Sequence, residues 1–247
     1  MPTACLVVPC YNEEHRLDPG AFTAFLRAWP EVSCYFVDDG SQDGTLARLN
    51  ALRRDQENQV RVLALEANSG KAEAVRLGML AAHAWRIFDY IGYWDADLAT
   101  PLDEFPAMLR LAEGRSGCVI VLGSRNRQLS ASIKRTPARY YPGRAFAALA
   151  NLVLRMQVYD TQCGAKLLKA DVVPEVCRHP FASRWFFDVE LLARLRNLIG
   201  REAMTERAIE APLERWSEKG GSRLTISEML RAPFELWAIA RKYNQER

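Results

Sequence analysis

Five short runs of almost uninterrupted apolar residues set the strongest limit on how this chain folds: ACLVVP (4–9), SCYFVD (33–38), VRVLAL (60–65), YIGYWD (90–95) and GCVIVLG (117–123). A strand with one wet face alternates apolar and polar residues, so runs without that alternation predict strands covered on both faces. Between them lie DGTLARLNALRRD and GKAEAVRLGMLAAHAW, whose apolar residues recur at helical spacing, with Asp43 and Ser69 placed to cap their starts. The alternation of strand and helix predicts an α/β, Rossmann-type sandwich with a mainly parallel central sheet flanked by helices. Ligands are then received at the carboxyl ends of the strands.

After Gly123 the pattern changes. SRNRQLSASIKRTPARYYPGR is basic, proline-punctuated and aperiodic, which predicts a long loop with short helices, and AFAALANLVLRM then reads as an apolar helix. TQCGAKLLK is expected as a strand, DVELLARLRNLIG as a helix ending at Gly200, and AIEAPLERW as a strand. A last amphipathic stretch runs from Thr225 to about Tyr243, kinked or started by Pro233.

With 247 residues, 49% of them hydrophobic, the chain can bury a sizeable core as one large domain, with or without an appendage. Its net charge of +3 is too small for a general nucleic-acid binder. The charge is unevenly placed: no acid occurs between Glu113 and Asp160, an interval that holds Arg115, Arg125, Arg127, Lys134, Arg135, Arg139, Arg144 and Arg155. Such a segment suits an anion. Six scattered cysteines, with no Cys-x-x-Cys and no signal peptide, read as buried thiols in a reducing cytosol. The uncharged run Ala145 to Leu154 is roughly half the length a membrane span needs. His15, His83 and His179 lack ligand spacing for zinc, and Trp29, Trp85 and Trp237 are expected in the core. Neither dinucleotide-binding nor P-loop glycine motifs occur.

The tips of the apolar runs carry the chemistry. PCYNEE follows the first run, offering a flat ring at Tyr11 and acceptors at Glu13 and Glu14; the second ends in Asp38-Asp39. NSGKAEAVRLG follows the third and brings Lys71 to a helix start, a natural phosphate site. The fourth ends in WDADLATP, with Asp95 and Asp97 two residues apart. On an extended strand such a pair points to one side, and two carboxylates there suit a hard divalent cation that in turn holds phosphate oxygens.

Taken together, VVPCYNEE, VDDGSQDGT, NSGKAEAVRLG, DADLATP, GSR and DTQCGAKLL resemble the inverting glycosyltransferases of family 2 with a GT-A fold, nearest to the branch that loads a sugar onto a polyprenyl or dolichyl phosphate. The resemblance runs from Cys5 to about Arg223. It implies that residues 1–223 form the catalytic domain, with a nucleotide-binding half (1–125) and an acceptor half (126–223), and that 224–247 form an amphipathic helix packed on it or at a membrane surface. It further implies that Pro9, Tyr11 and Glu13 line the nucleoside pocket and that Asp39 meets the uracil edge. Lys71 and Arg76 lie near the donor phosphates or brace the pocket. Asp95 faces the ribose or the metal side, with Ala96 beside it at the nucleotide sugar, while Asp97 ligates Mg²⁺ or Mn²⁺. Arg125 and Arg223 reach phosphates.

A metal-assisted departure of a nucleoside diphosphate leaves the nucleophile to attack the opposite face, which inverts the anomeric centre. If the nucleophile is a lipid phosphate it is already ionised and needs little base. Arg127, Lys134, Arg135, Arg139 and Arg144 are the candidates for the acceptor phosphate and an anionic membrane surface; a solvated basic loop over a buried helix is the bland alternative. Asp188, in RWFFDVELL, is the candidate catalytic base, although carboxylates are favoured at any helix start. In RWSEKGGSRL, Gly220 and Gly221 allow a segment carrying Arg223 to close over the donor; a plain turn explains it nearly as well.

Two departures bear on the acceptor: eukaryotic members carry an amino-terminal anchor, which is not expected here ahead of a strand at Ala4, and Ala165 stands where an aromatic residue is usual. The expectation is a cytoplasmic enzyme, peripheral on the inner face of the membrane, with a UDP-sugar donor and no nucleic-acid partner. The competing expectations are the same donor chemistry on a soluble or protein-linked hydroxyl, and a nucleotide-sugar-binding protein without turnover.

Overall fold

The computed structural model describes residues 2–126, 133–134, 137–217, 219 and 226–244. The strands are β1 (Ala4–Cys10), β2 (Val32–Asp38), β3 (Val60–Ala64), β4 (Tyr90–Trp94), β5 (Ile120–Ser124), β6 (Ile133–Lys134), β7 (Ala165–Lys169), β8 (Ala208–Pro212) and β9 (Trp216–Ser217). The helices are α1 (Pro19–Ala28), α2 (Thr45–Asp55), α3 (Lys71–Trp85), α4 (Phe105–Gly114), α5 (Pro137–Leu154), α6 (Val173–Val176), α7 (Phe187–Ile199), α8 (Arg201–Arg207) and α9 (Ile226–Tyr243).

Seven strands form one sheet in the order β3-β2-β1-β4-β7-β5-β8, and β6 pairs with β9 in a separate ribbon. Among the described residues, only β7 runs antiparallel to its neighbours in the main sheet; the other pairings there are parallel. The apolar runs predicted this, because side chains of successive residues enter opposite cores. Leu6 and Val8 pack with Phe22, Phe36, Trp94 and Phe105 under α1, α2 and α4. Cys5 and Val7 pack with Val75, Met79, Tyr93 and Phe187 under α3 and α7.

The register levels the strand ends that matter. Cys10 pairs with Asp38, Asp38 with Ala64, and Val7 with Tyr93, so the loops after β1, β2, β3 and β4 leave from one edge. The chain builds outward from β1 to β3 on one side and returns to place β4 on the other. The crevice created where strand order reverses is the usual ligand position in such sheets.

Several local expectations need correction. α5 begins at Pro137, eight residues ahead of the apolar helix read from Ala145; Pro142 and Gly143, read as punctuation, lie inside it. Pro137 takes the first position of the helix, where a missing N–H would be unpaired anyway. The α2 and α3 N-caps are Gly44 and Gly70. Asp43 still accepts the Thr45 backbone N–H at 3.0 Å, but the Ser69 hydroxyl donates to the Ala67 carbonyl and caps nothing. AIEAPLERW breaks into β8 and β9, since Glu104 takes the Glu214 and Arg215 N–H groups at 3.0 and 2.8 Å. Of the two readings of Pro233, a kink or a start, its place is inside α9. Trp237 is not a core residue: α9 buries Ala232, Leu236 and Ile239, and Trp237 falls on the opposite face, 62% exposed, beside Phe234 at 74%. All six cysteines are buried, and none forms a disulfide.

Candidate active site

The loops after β1 and β2 are stitched together before either reaches the cleft. Asn12, in a left-handed conformation (φ 48°), accepts from the Gln42 N–H at 2.9 Å, and its own N–H donates to the Ser41 hydroxyl at 3.0 Å. The Glu13 N–H donates to Thr45 Oγ1 at 2.8 Å, and Glu14 accepts from Gly44 at 2.9 Å. This arrangement fixes Pro9, Tyr11 and Glu13 along one wall of a cleft of about 660 Å³.

Asp39 lies at the next corner. Buried, it accepts the N–H groups of Ser69 and Gly70 at 2.7 and 2.8 Å and the Asn68 amide at 3.1 Å, so it holds the turn into α3. Burial raises its pKa, with the Asp38 charge adding to the effect and the two backbone donors and Arg184 opposing it. Gly70 makes that turn at φ 93°, where a Cβ would meet the Arg184 guanidinium at 2.6 Å.

The Asp95/Asp97 pair sits in the turn after β4, not on the strand, which ends at Trp94. Leu98 closes the turn at φ 51°, its N–H donating to the Asp95 carbonyl at 3.1 Å, and Asp97 accepts from Ala99 at 3.0 Å. Both carboxylates line the cleft, as does Ala96. Burial and then the neighbouring Asp95 charge raise the Asp97 pKa. Lys71 meets Asp95 at 2.5 Å. Burial works against its ammonium, but Asp95, Asp188 and Asp97 outweigh that and hold its pKa up.

Arg125 reaches the cleft from the end of β5 already paired. Its Nε and Nη2 donate to Asp160 at 2.6 and 2.8 Å, and its backbone N–H adds a third bond at 3.1 Å. Burial disfavours the Asp160 anion, but the Arg125 charge and bonds prevail and hold the carboxyl well below the usual carboxylate range.

The cleft therefore gathers Pro9, Tyr11, Glu13, Asp39, Lys71, Asp95, Ala96, Asp97 and Arg125. Three named residues lie elsewhere. Arg76 turns away to Glu73 (2.8 and 2.6 Å) and the Cys177 carbonyl (3.1 Å), bracing α3 against α6. Asp188 is buried behind the wall, bonded to the Tyr93 hydroxyl and paired with Lys166 at 2.7 Å. Arg144 donates to the Tyr159 carbonyl at 2.8 Å and stacks on that ring at 4.0 Å. Arg127, Arg135 and Arg223, with the side chains of Lys134 and Arg139, lie outside the described residues.

The sequence reading missed Arg16, Arg184, Trp185, Lys219, Arg231 and Glu235, all on the cleft wall. Arg184 and Trp185 stand at the head of the quoted RWFFDVELL, and adjacency to Asp188 was the available signal. Arg231 and Glu235 come from α9, and nothing local marks them.

The seven-strand sheet with its acid-lined crevice has the GT-A fold, and the sequence comparison gives the family: residues 5–176 match the family model "Glycosyl transferase family 2", so the chain is a glycosyltransferase of that family. Among curated relatives, the dolichyl-phosphate beta-glucosyltransferase of Drosophila melanogaster is 34% identical over 94% of this chain and 70% of its own. That of Mus musculus is 32% identical over 94% and 70%. Among solved structures, glucosyl-3-phosphoglycerate synthase from Mycobacterium tuberculosis, in complex with Mn²⁺, UDP-glucose and phosphoglyceric acid, aligns with a TM-score of 0.70 at 17% identity, covering 97% of this chain and 80% of that one. Mannosyl-3-phosphoglycerate synthase from Rubrobacter xylanophilus aligns at 0.72 and 15%, covering 99% and 75%.

Proposed function

We propose that this chain moves a hexose, glucose in the first instance, from a UDP-sugar to a polyprenyl phosphate with inversion, using Mg²⁺ or Mn²⁺. The observation that carries this is the convergence of Asp39, Lys71, Asp95, Asp97 and Arg125 on one cleft. The names of the curated relatives support the acceptor, and the Mn²⁺ and UDP-glucose bound to the mycobacterial enzyme support the donor.

Asp95 and Asp97 fit a hard cation. They are two oxygen donors in one turn, and a cation held by one or two carboxylates completes its shell with substrate phosphate and water. Bound there, it supplies positive charge to the diphosphate that leaves. Pro9, Tyr11, Glu13 and Asp39 receive the nucleoside. Lys71 faces the donor phosphates, and Arg125, immobilised by Asp160, presents a fixed positive edge that needs no reorganisation during the reaction. Lys219 and Arg231, which also line the cleft, are suited to the acceptor phosphate, whereas Arg184 donates to Asn68 at 2.9 Å on the Asp39 side. An acceptor phosphate oxygen attacks the anomeric carbon as the bond to the UDP oxygen breaks. That oxygen is already ionised, so the protein contributes orientation more than proton transfer.

A hydroxyl acceptor would need a base within reach. Asp188 is engaged by Lys166 and Tyr93 behind the wall, which favours the phosphate. No described helix is long and apolar enough to cross a membrane. The exposed Phe234 and Trp237 on α9 and Leu149 and Leu152 on α5, with Arg231 and Arg241 nearby in sequence, support an interfacial seat on anionic lipid.

The test is incubation with radiolabelled UDP-glucose, Mn²⁺ and a short polyprenyl phosphate. Label extractable into solvent, dependent on the metal and absent from Asp97→Asn, is expected. Label only in water-soluble product would move the acceptor to a hydroxyl, and failure to bind UDP would remove the donor assignment.

A further inference from the structure

Beneath the Asp95 turn lies a buried charge cluster that the proposed chemistry does not use. Lys166, on β7, has no exposed surface, and its ammonium makes three contacts: Asp188 Oδ1 at 2.7 Å, the Tyr93 hydroxyl at 3.0 Å and the Cys163 carbonyl at 2.7 Å. The Tyr93 hydroxyl, also buried, donates to the same Asp188 oxygen. An ion pair in a core is a poor means of gaining stability, since apolar residues of similar volume usually serve as well or better. What such a pair does supply is one defined geometry.

That geometry leads to the cleft. Lys166 pairs across the sheet with Tyr93, two residues before Asp95. Its bond to the Cys163 carbonyl fixes the turn that precedes β7. The next residue, Gly164, accepts the Asp95 N–H at 2.9 Å. At Gly164 the approach is so close that a Cβ would lie 1.8 Å from Asp95 Oδ2 and 2.2 Å from its Cγ. Backbone and carboxylate of Asp95 are therefore both set by residue 164, and residue 164 is set by the buried pair.

We propose that Gly164, Lys166 and Asp188 are positioning residues for Asp95: the Lys166–Asp188 pair locks the Cys163–Gly164 turn, and the bare α-carbon of Gly164 admits the Asp95 carboxylate to its place in the cleft. This assigns Asp188 to the donor side, acting through Lys166, and takes it off the list of groups that meet the acceptor. It rests on the donor-site role of Asp95 given above.

The test compares wild type with Gly164→Ala, Asp188→Asn and the double variant Lys166→Met/Asp188→Leu. The double variant removes both charges, so that neither is left buried alone. Binding of Mn²⁺ in the presence of UDP is measured by calorimetry and by the Mn²⁺ resonance spectrum, and kcat and KM are measured for donor and acceptor separately. Outer-shell changes of this kind weaken metal binding by roughly tenfold to a hundredfold. All three variants are expected to lose Mn²⁺·UDP affinity in that range, to alter the Mn²⁺ spectrum and to raise the donor KM, with the acceptor KM unchanged. Wild-type Mn²⁺·UDP binding in Gly164→Ala or in the folded double variant overturns the proposal. So does Asp188→Asn with intact binding and no turnover, which would make Asp188 a base. Wild-type protein that binds no Mn²⁺·UDP would instead remove the donor site itself, and the proposal with it.

Discussion

Replacing Asp160 by Asn would leave the Arg125 guanidinium charged and inside the protein without its counter-ion. The pair is well shielded, with side-chain exposures of 15% and 7%, so solvent screening does little to soften the loss. Breaking a buried pair by removing one partner costs about 3–5 kcal/mol; Asn keeps one acceptor oxygen, which points to roughly 3 kcal/mol. For a domain of this length each kcal/mol moves Tm by about 2–4 °C, so a fall of roughly 6–12 °C is expected near pH 7. The pH dependence has a definite sign. The folded pKa of Asp160 is depressed, so its contribution is fully present above the unfolded value near about 3.9 and is lost as pH falls below it. The gap between wild type and Asp160→Asn should thus hold constant above about pH 5 and narrow by roughly 1 kcal/mol by about pH 3. Thermal unfolding followed by circular dichroism across that range is the assay. A gap below about 1 kcal/mol at neutral pH, or one that stays constant into acid, would refute the claim that this ion pair holds the end of β5 to the cleft.

The other predictions concern packing and the surface. At Gly78, in the middle of α3, a Cβ would stand 2.4 Å from Val7 Cγ1 and 2.7 Å from Val37 Cγ2 on the stiff strands below. Overpacking costs about 1–3 kcal/mol, and alanine's helix propensity returns about 1 kcal/mol. Gly78→Ala should therefore lower the urea midpoint without changing the slope; a higher midpoint would contradict the close helix–sheet approach. Phe234→Ser/Trp237→Ser is expected to reduce flotation with anionic vesicles while leaving UDP binding intact. Undiminished flotation would take the interfacial role away from α9.

The strands were legible because a doubly covered strand writes its burial into consecutive residues. The acids at their tips were legible because parallel strands in level register must present their carboxyl ends together. Asp39, Asp95 and Asp97 could thus be brought to one edge without coordinates, although the Asp95/Asp97 geometry comes from a turn and not from the strand pleat. Helix starts were read less well. Asp43 and Ser69 have capping chemistry, yet glycines take both cap positions while Asp39, thirty residues from Ser69, binds the turn into α3.

Fold class, the edge of the sheet that carries chemistry and the acidic half of the cleft follow from local pattern, since burial on two faces and a carboxylate at a strand end are properties of a few adjacent residues. The insertion of β7 antiparallel between β4 and β5, the burial of Lys166 against Asp188, the arrival of Arg184 and Arg231 at the cleft and the outward face of Trp237 depend on contacts between distant segments. Pairing energy of that kind belongs to two elements at once, and neither stretch of chain carries it alone.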